Sequence, residues 1–270
     1  MVFVVELSFH LKYYTFMDRS TILQLNTINN TFYKTVAQDF SDSRSYYWHG
    51  WREFLPFLEN MLGETDQLEV LDVGCGNGRF GLFLVDSLPS ISINYLGIDS
   101  NKQLLEIAKK SHQQTHLDSE FAQLDIVQSL LDNTFLKTKK TYDVIVLFGL
   151  LHHIPSFQLR KQLVQMASKK LKTNGLLILT LWRFLDTNQL QKKQVAFEQA
   201  ELNPAQLDKN DFILSWNRGK KSIRYCHYAD KDEEARLLSA SELELLSSFE
   251  SDGKEGRGNR YLVLTRPSEV

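Results

Sequence analysis

The 270-residue chain contains few cysteines, no excess of positive charge and no long apolar run. Its two cysteines, Cys75 and Cys226, are too few for a disulfide scaffold, which favours a reducing compartment, and we expect the protein to be cytoplasmic. The 31 basic and 33 acidic side chains give a net charge of −2, so contact with nucleic acid would depend on a local basic surface. The apolar N-terminal stretch is too short to span a bilayer, so no membrane association is expected.

Residues 1–20 form a leader whose place in the natural protein is open. Residues 1–16 are apolar and aromatic, but charged side chains such as Glu6 and Lys12 interrupt them, and they lack a signal-peptide cleavage site. Because Met17 offers a second start, we expect this leader to be either absent from the natural protein or a dispensable strand. Residues 21–270 are predicted to form one domain.

Seven apolar segments predict an α/β fold built on a doubly wound, mostly parallel sheet. The first five lie about 25 residues apart and are separated by helical patterns, which is the rhythm of such a sheet; they span 68–73, 93–98, 120–124, 142–148 and 175–182. The last two, at 243–249 and 261–265, flank a glycine-rich stretch and predict a closing antiparallel hairpin.

Two segments are extra to this sheet. Residues 21–62 are predicted to form an N-terminal cap of two helices, and residues 183–226 form a polar insertion after the fifth strand. Ligands of doubly wound sheets bind at the carboxyl ends of the strands, which both additions can reach. We therefore expect them to form a lid over the substrate.

The turn after the first strand contains Gly74, Gly76 and Gly78. Glycine lacks a Cβ, so the backbone can take a positive φ and pass close to a ligand. The third glycine comes one residue too early for a dinucleotide fingerprint, where Arg79 stands instead, and no Gly-Lys-Ser/Thr follows as in a P-loop. NAD is therefore an alternative ligand rather than the leading one, and a glycine-rich turn that binds no ligand is the other alternative.

Acidic residues stand at three strand ends. Asp99 follows the second strand and is predicted to accept hydrogen bonds from both hydroxyls of a ribose. Asp125 ends the third strand and is predicted to accept from an adenine amino group, with Ile126 beside the ring; capping a loop is its alternative role. Asp72 precedes the glycine turn and is predicted to orient the glycine loop or to contact an amine of the ligand indirectly; capping backbone amides is its alternative role.

The run Leu71-Asp72-Val73-Gly74-Cys75-Gly76-Asn77-Gly78 resembles the first motif of the class I S-adenosylmethionine-dependent methyltransferases. The resemblance implies S-adenosylmethionine as the cofactor and a last strand inserted antiparallel. Methyl transfer is an in-line displacement, so such an enzyme mainly positions the two reactants and supplies a suitable electrostatic field. It needs a base only when the nucleophile carries a proton. The residues predicted to bind the cofactor are Arg44, Asp72, Gly74, Cys75, Gly76, Asn77, Gly78, Asp99, Asp125, Ile126 and Phe148.

Two adjacent histidines, His152 and His153, follow the fourth strand. No cysteine or acid lies nearby at metal-ligand spacing, so no metal site is predicted. His152 is one candidate catalytic residue, as a base or a substrate contact, and a place in the wall of the site is the equal alternative.

Several landmarks outside the glycine motif are similar to the methyltransferases that esterify 5-carboxymethyluridine at the tRNA wobble position. They are the segment 32–48 with its Ala37-x-x-Phe40-Ser41, the Leu151-His152-His153 run, Arg224-Tyr225-Cys226-His227-Tyr228, and the segment 257–261. The resemblance implies that Arg44 binds the methionine end of the cofactor, and that Arg224, Tyr225 and His227 face the modified uridine. Arg224 and His227 are then further catalytic candidates, and Tyr225 is a substrate contact. It also implies a small zinc-binding activator protein as a possible partner.

Four cations lie within seven residues, at Arg218, Lys220, Lys221 and Arg224. They are predicted to contact phosphates of a tRNA, although a solvated loop explains them equally well. A tRNA wobble uridine is thus the leading substrate. The alternatives are a small-molecule O- or N-methyltransferase that uses His152 or His153 as a base, and a cofactor-binding subunit without catalytic activity.

Overall fold

The computed structural model describes residues 17–44, 46–63, 65–186 and 193–268. Residues 1–16 of the expected leader lie outside the described residues. The end of that leader is part of the fold, since Met17 is buried and the Asp18 carboxylate caps the first helix by accepting from the Thr21 amide at 2.8 Å. Among the described residues, no helix combines the length and apolar character that crossing a bilayer requires.

The described residues form eight α-helices and ten strands. The helices are α1 Arg19–Asp42, α2 Gly50–Glu53, α3 Leu55–Leu62, α4 Arg79–Ser87, α5 Lys102–His112, α6 Ile126–Leu131, α7 Phe157–Lys169 and α8 Lys231–Ser241. The strands are β1 Gln67–Val73, β2 Ser92–Asp99, β3 Asp118–Gln123, β4 Tyr142–Leu147, β5 Leu171–Trp182, β6 Gln194–Val195, β7 Asp211–Trp216, β8 Ser222–His227, β9 Glu244–Ser251 and β10 Asn259–Thr265.

Seven strands form one sheet in the order β3-β2-β1-β4-β5-β10-β9. The first five are parallel, whereas β10 runs antiparallel to both β5 and β9. The prediction of a doubly wound, mostly parallel sheet with an antiparallel last strand is confirmed. Because the chain reverses its winding between β1 and β4, the carboxyl ends of these two strands flank the crevice in which such sheets bind ligands.

Apolar side chains cover the sheet on both faces. In β4, Val144 and Val146 pack into one core cluster, and Ile145 and Leu147 pack into the other. This two-sided burial explains why the strand is an uninterrupted apolar run in the sequence. The first turn of α7 is capped by the Ser156 hydroxyl, which accepts from the Gln158 amide at 3.2 Å.

The N-terminal cap differs from the prediction of two helices. Residues 19–42 contain neither proline nor glycine and form one long helix, α1. The short helices α2 and α3 follow, and α3 has Pro56 in its first turn, where the missing amide hydrogen costs nothing.

The insertion is a second sheet. Strands β6, β7 and β8 pair antiparallel, and the segment extends one residue beyond the predicted boundary to His227. α1 packs against β8, which joins the cap to the insertion. The polar residues around these strands concealed them, although the neighbouring Ile213 and Leu214 of β7 are buried in two different core clusters. The role of the two additions as a lid stays a prediction.

Candidate functional site

A cavity of about 990 Å³ opens at the carboxyl ends of the parallel strands. The glycine turn and the end of β2 form one half of its wall, and α1, the turn after β4 and the second sheet form the other half. Its size is at the upper end of what small-molecule sites need, so it has room for a nucleoside-sized molecule and a second reactant.

The glycine turn presents bare backbone to this cavity. Gly74, Gly76 and Gly78 have φ values of +78°, +56° and +73°, which side chains disfavour. A Cβ on Gly76 would meet no atom within 4 Å, whereas one on Gly78 would lie 2.8 Å from the Cβ of Ala108. A ligand can therefore lie against Gly76. Gly78 is not among the cavity-lining residues, which corrects its predicted role, and its lack of a side chain lets α4 and α5 approach each other.

Asp99 closes the turn from the side of β2. Its Oδ2 accepts from the Gly76 amide at 2.9 Å and its Oδ1 from the Asn101 amide at 2.8 Å. Burial raises the pKa of Asp99, and these backbone amides oppose the shift because they stabilise the carboxylate. Each oxygen keeps a free lone pair, so the carboxylate can accept from two neighbouring hydroxyls of a ribose.

Asp72 lies deeper, where it is 3% exposed and lines the cavity. Its Oδ2 accepts from the Tyr95 hydroxyl at 2.5 Å. Burial raises the pKa of Asp72 to about 7, although the hydrogen bond from Tyr95 opposes this. The carboxyl group therefore changes its protonation state near neutral pH.

Asp125 is the N-cap of α6, which is the alternative role that the sequence left open. Its Oδ1 accepts from the Gln128 amide at 2.9 Å, and its Oδ2 accepts from Asn26 at 2.8 Å and from Asn30 at 2.9 Å. It also lines the cavity together with Ile126. An adenine contact stays a prediction, and the two asparagines of α1 now compete for the same oxygen.

The other residues predicted to bind the cofactor also line the cavity: Arg44, Cys75, Asn77 and Phe148. The Arg44 guanidinium carbon lies 3.6 Å from the centre of the Phe40 ring. Burial lowers the pKa of Arg44 to about 9, and the charge of Arg224 adds to this shift. Burial raises the pKa of the Cys75 thiol well above its usual range, so the thiol stays protonated.

Sequence reasoning missed Arg79, the first residue of α4. It lines the cavity, its Nη1 donates to the Tyr46 carbonyl at 2.6 Å, and its guanidinium lies 5.4 and 5.3 Å from the rings of Trp48 and Trp51. Burial lowers the pKa of Arg79 to about 10. Its position directly after the last glycine, at a helix start, was the available signal.

Arg224 lies in the opposite wall, within an aromatic box. Its guanidinium carbon lies 4.7 Å from the ring of Trp182, 5.3 Å from Phe32 and 5.7 Å from Trp216. The side chain is 7% exposed, and its Nε is buried without a hydrogen-bond partner among the described residues. Because an unpaired buried charge is costly, this guanidinium is suited to binding an anion that enters the cavity.

The prediction that Tyr225 and His227 face the cavity is wrong. Successive side chains of a strand point to opposite faces, so Arg224 faces the cavity while Tyr225 and His227 point into the core behind β8. The Tyr225 hydroxyl donates to Asp211 Oδ1 at 2.7 Å, and Tyr225 is fully buried.

His227 belongs to a buried ionic network. Its Nδ1 lies 2.7 Å from Asp211 Oδ1 and its Nε2 lies 2.9 Å from Glu233 Oε2. Each ring nitrogen of His227 therefore has a carboxylate oxygen within hydrogen-bond distance. Arg160 joins the network, with its Nε 2.6 Å from Glu233 and its Nη2 2.8 Å from Asp208. His227 and Arg160 hold the pKa of Glu233 at about 2 against the effect of burial.

Ligand atoms of Asp208, Asp211 and His227 lie within 4.8 Å of one another, close enough to share a metal ion. All three side chains are already bonded to protein partners, and the guanidinium of Arg160 adds positive charge at the same place. Through these hydrogen bonds and ion pairs the cluster links β7 and β8 to α7 and α8.

His152 lines the cavity, but its surroundings oppose a role as a base. Its ring lies 4.8 Å from Trp182 and 4.1 Å from His153. Burial and the nearby charge of Arg224 hold the pKa of His152 well below its usual range. Since a neutral imidazole that resists protonation is a poor proton acceptor, the structure favours its alternative role in the wall.

His153 is tied to the scaffold. Its Nε2 accepts from the Tyr33 hydroxyl at 2.9 Å, and its Nδ1 lies 3.0 Å from the Tyr225 carbonyl. Burial lowers the pKa of His153 to about 3.

The four cations predicted to contact phosphates do not all lie at the cavity. Arg218 lines the cavity, whereas Lys220 and Lys221 are exposed and are not among the lining residues. Lys193, which precedes β6 and was not predicted, also lines the cavity.

Comparisons with known proteins agree with this architecture. Residues 71–177 match the family model described as a methyltransferase domain. The chain is 30% identical over 146 residues to the ubiquinone biosynthesis O-methyltransferase of Vibrio atlanticus, covering 50% of this chain and 56% of that protein. It is 29% identical over 177 residues to the malonyl-[acyl-carrier protein] O-methyltransferase of Halalkalibacterium halodurans, covering 60% of this chain and 62% of that protein. The matches thus span little more than half the length of these relatives.

Among solved structures, an S-adenosylmethionine-dependent methyltransferase from Clostridium acetobutylicum is similar with a TM-score of 0.59 at 13% identity. That match covers 88% of this chain and 99% of the other. The amino pentose methyltransferase CalS10 of Micromonospora echinaspora, solved with S-adenosylmethionine bound, has a TM-score of 0.55 at 16% identity, over 86% of this chain and 96% of that one. At these identities the likeness concerns the fold.

Proposed function

Because this chain carries a class I S-adenosylmethionine-dependent methyltransferase domain, we propose that it methylates a carboxylate oxygen, with the carboxymethyl group of a tRNA wobble uridine as the leading acceptor. The cofactor-binding half of the cavity fits this domain. The open backbone at Gly76 gives the cofactor a surface to lie on, and Asp99 provides two oxygens for its ribose. Arg79 and Arg44 supply positive charge for the carboxylate of its methionine part.

The observation that carries the proposal is the position of Arg224. Its buried guanidinium lines the cavity without an ion pair among the described residues, and a planar carboxylate is its natural bidentate partner. When bound, S-adenosylmethionine supplies the methyl group, which a carboxylate can accept without first losing a proton. The reaction therefore needs no base, in agreement with the depressed pKa values of His152 and His153.

The tRNA substrate is supported by the landmark segments of the sequence and by the rings beside Arg224. Trp182 lies against the guanidinium and lines the cavity, so a flat base that carries the carboxylate can stack on it.

The resemblance to the wobble-uridine methyltransferases also implies a small zinc-binding activator protein. β3 and β9 are the outer strands of the large sheet, where such a protein could add a strand, and Leu245 and Leu246 of β9 are 42% and 41% exposed.

A small carboxylic acid is the second candidate acceptor. It is favoured by the likeness to a malonyl-[acyl-carrier protein] O-methyltransferase. The name of that relative describes methyl transfer to an oxygen of a malonyl compound, and a malonyl group contains a carboxylate.

A partition experiment tests these candidates. The purified protein is incubated with methyl-labelled cofactor and either total RNA or a metabolite extract, then with an anticodon stem-loop that contains 5-carboxymethyluridine. We expect label in RNA and in this stem-loop, released by mild alkali as an ester requires, and none in a matched stem-loop with plain uridine. Label in metabolites alone would select the second candidate. Absence of label from every fraction, with cofactor bound, would favour a non-catalytic subunit.

A further inference from the structure

The mouth of the cavity carries positive charge that the bound cofactor does not require. Lys193 and Arg218 line it on the insertion, outside Arg224. Neither side chain has an ion pair or hydrogen bond among the described residues. Lys193 and Arg218 are brought to the same side of the cavity by backbone pairing, because the Lys193 carbonyl accepts from the Ser215 amide at 2.8 Å, three residues before Arg218. Partial burial lowers the pKa of Lys193, and the charges of Arg218 and Arg224 lower it further. Cations that converge in this way create a site for an anion.

Asp186, an acid that lines the cavity just before the insertion strands, is already engaged by other side chains, and Asp39 accepts from the Lys220 amide at 3.1 Å. Asp186 accepts from Arg183 at 2.9 Å and from the Tyr228 hydroxyl at 2.6 Å, so its carboxylate is already paired. The Arg218 carbonyl accepts from the Trp216 indole at 2.6 Å, which fixes the start of the turn between β7 and β8. The guanidinium of Arg218 is therefore attached to a backbone that this hydrogen bond holds in place.

We propose that Lys193 and Arg218 bind a phosphate group of the acceptor while Arg224 binds its carboxylate. This inference rests on the proposed function, because it assigns the carboxylate to Arg224. The acceptor class is a carboxylic acid that also carries a phosphate, which includes a nucleotide within RNA and a phosphorylated small acid. Arginine supplies a fork of donors to phosphate oxygens, and lysine adds a compact charge.

Binding measurements can separate this subsite from catalysis. The probes are 5-carboxymethyluridine, its 5′-monophosphate and 3-phosphoglycerate, each titrated by calorimetry into protein saturated with S-adenosylhomocysteine. We expect the phosphate to increase the affinity for the nucleoside at least tenfold. The double variant Lys193→Gln/Arg218→Gln should lose this gain and bind the nucleoside as before. With a trinucleotide, the slope of log K against log salt should fall by about 0.7 for each phosphate contact that is removed.

The matched control is Lys220→Gln/Lys221→Gln, which removes the same charge from the same segment outside the cavity. Equal losses in the two double variants, or no gain from the phosphate in the wild-type protein, would overturn the subsite. Methylation of the nucleoside without a phosphate effect would leave the proposed function standing and refute only this inference. If 3-phosphoglycerate alone binds and depends on both cations, the subsite stands and the acceptor is a small acid rather than RNA.

Discussion

The two halves of the cavity are built in different ways. In the cofactor half, the main features are backbone shape and strand ends within about thirty residues of one another, from the glycine turn to Asp99. In the acceptor half, the functional groups are side chains from α1, the turn after β4 and the second sheet, which are far apart in the chain. A small change in the packing of those elements would move Arg224, whereas Gly76 depends mainly on its own turn.

The difference extends to what stabilises each half. Apolar burial on both faces of β1 and β4 fixes the glycine turn. The second sheet also packs into the core through Ile213 and Tyr225, but it is joined in addition to α7 and α8 by the ionic network around Arg160 and His227. The acceptor half should therefore be the more sensitive to the loss of a single charge.

The largest expected effect is on folding. Arg160→Met removes the cation of the partly buried Asp208 and leaves the buried Glu233 with His227 as its remaining ionisable partner in the network. Breaking a buried pair by removing one partner costs about 3–5 kcal/mol, and we expect a loss of that size in the free energy of unfolding measured in urea.

The control for this variant is Lys172→Met, which removes a half-exposed ion pair with Asp143. Such a pair contributes about 0–1 kcal/mol, so this control should change stability little. Equal stability of the two variants would contradict the view that buried charges hold the second sheet.

The next effect concerns the cofactor half. Asp99→Ala removes two acceptors for the ribose and the bond to the Gly76 amide. At about 1.5–3 kcal/mol for each hydrogen bond to a charged group, cofactor affinity should fall more than 100-fold in calorimetry. Circular dichroism should show an intact fold. Unchanged affinity would refute the assignment of the ribose to Asp99.

Most residues that the sequence assigned to the cofactor half line the cavity, because their features are local, and their contact with the cofactor stays a prediction. A strand, a glycine turn and an acid at the next strand end can each be recognised without knowing the rest of the fold. The role of Gly78 was wrong because spacing does not distinguish a glycine that contacts a ligand from one that admits a neighbouring helix. The bonds from Asn26 and Asn30 to Asp125 join residues almost 100 positions apart, beyond any local pattern.

The acceptor half was predicted less well for a related reason. Arg224, Tyr225 and His227 were grouped as neighbours in sequence, but β8 was not recognised as a strand, so its alternation could not separate them. Lys193 and Arg218 approach the same cavity only because β6 and β7 pair.

The third effect separates binding from turnover. Arg224→Gln removes the cation that holds the acceptor carboxylate, and we expect kcat/KM for the carboxymethyluridine stem-loop to fall about 100-fold, equivalent to about 2.7 kcal/mol. Cofactor affinity should change less than twofold. Arg224→Lys keeps the charge without the planar fork and should recover part of the activity. Full activity of the glutamine variant would refute the role of this residue.

The smallest effect is a pH dependence in the cofactor half. Burial raises the pKa of Asp72 to about 7, and a positively charged cofactor favours its ionised form. Affinity for S-adenosylmethionine should therefore rise about tenfold from pH 6 to pH 8 and level off above the pKa of the free protein. Asp72→Asn should flatten this profile. Tyr95→Phe removes a hydrogen bond that favours the carboxylate, so it should move the rise to higher pH; a shift to lower pH would exclude Asp72 as the titrating group.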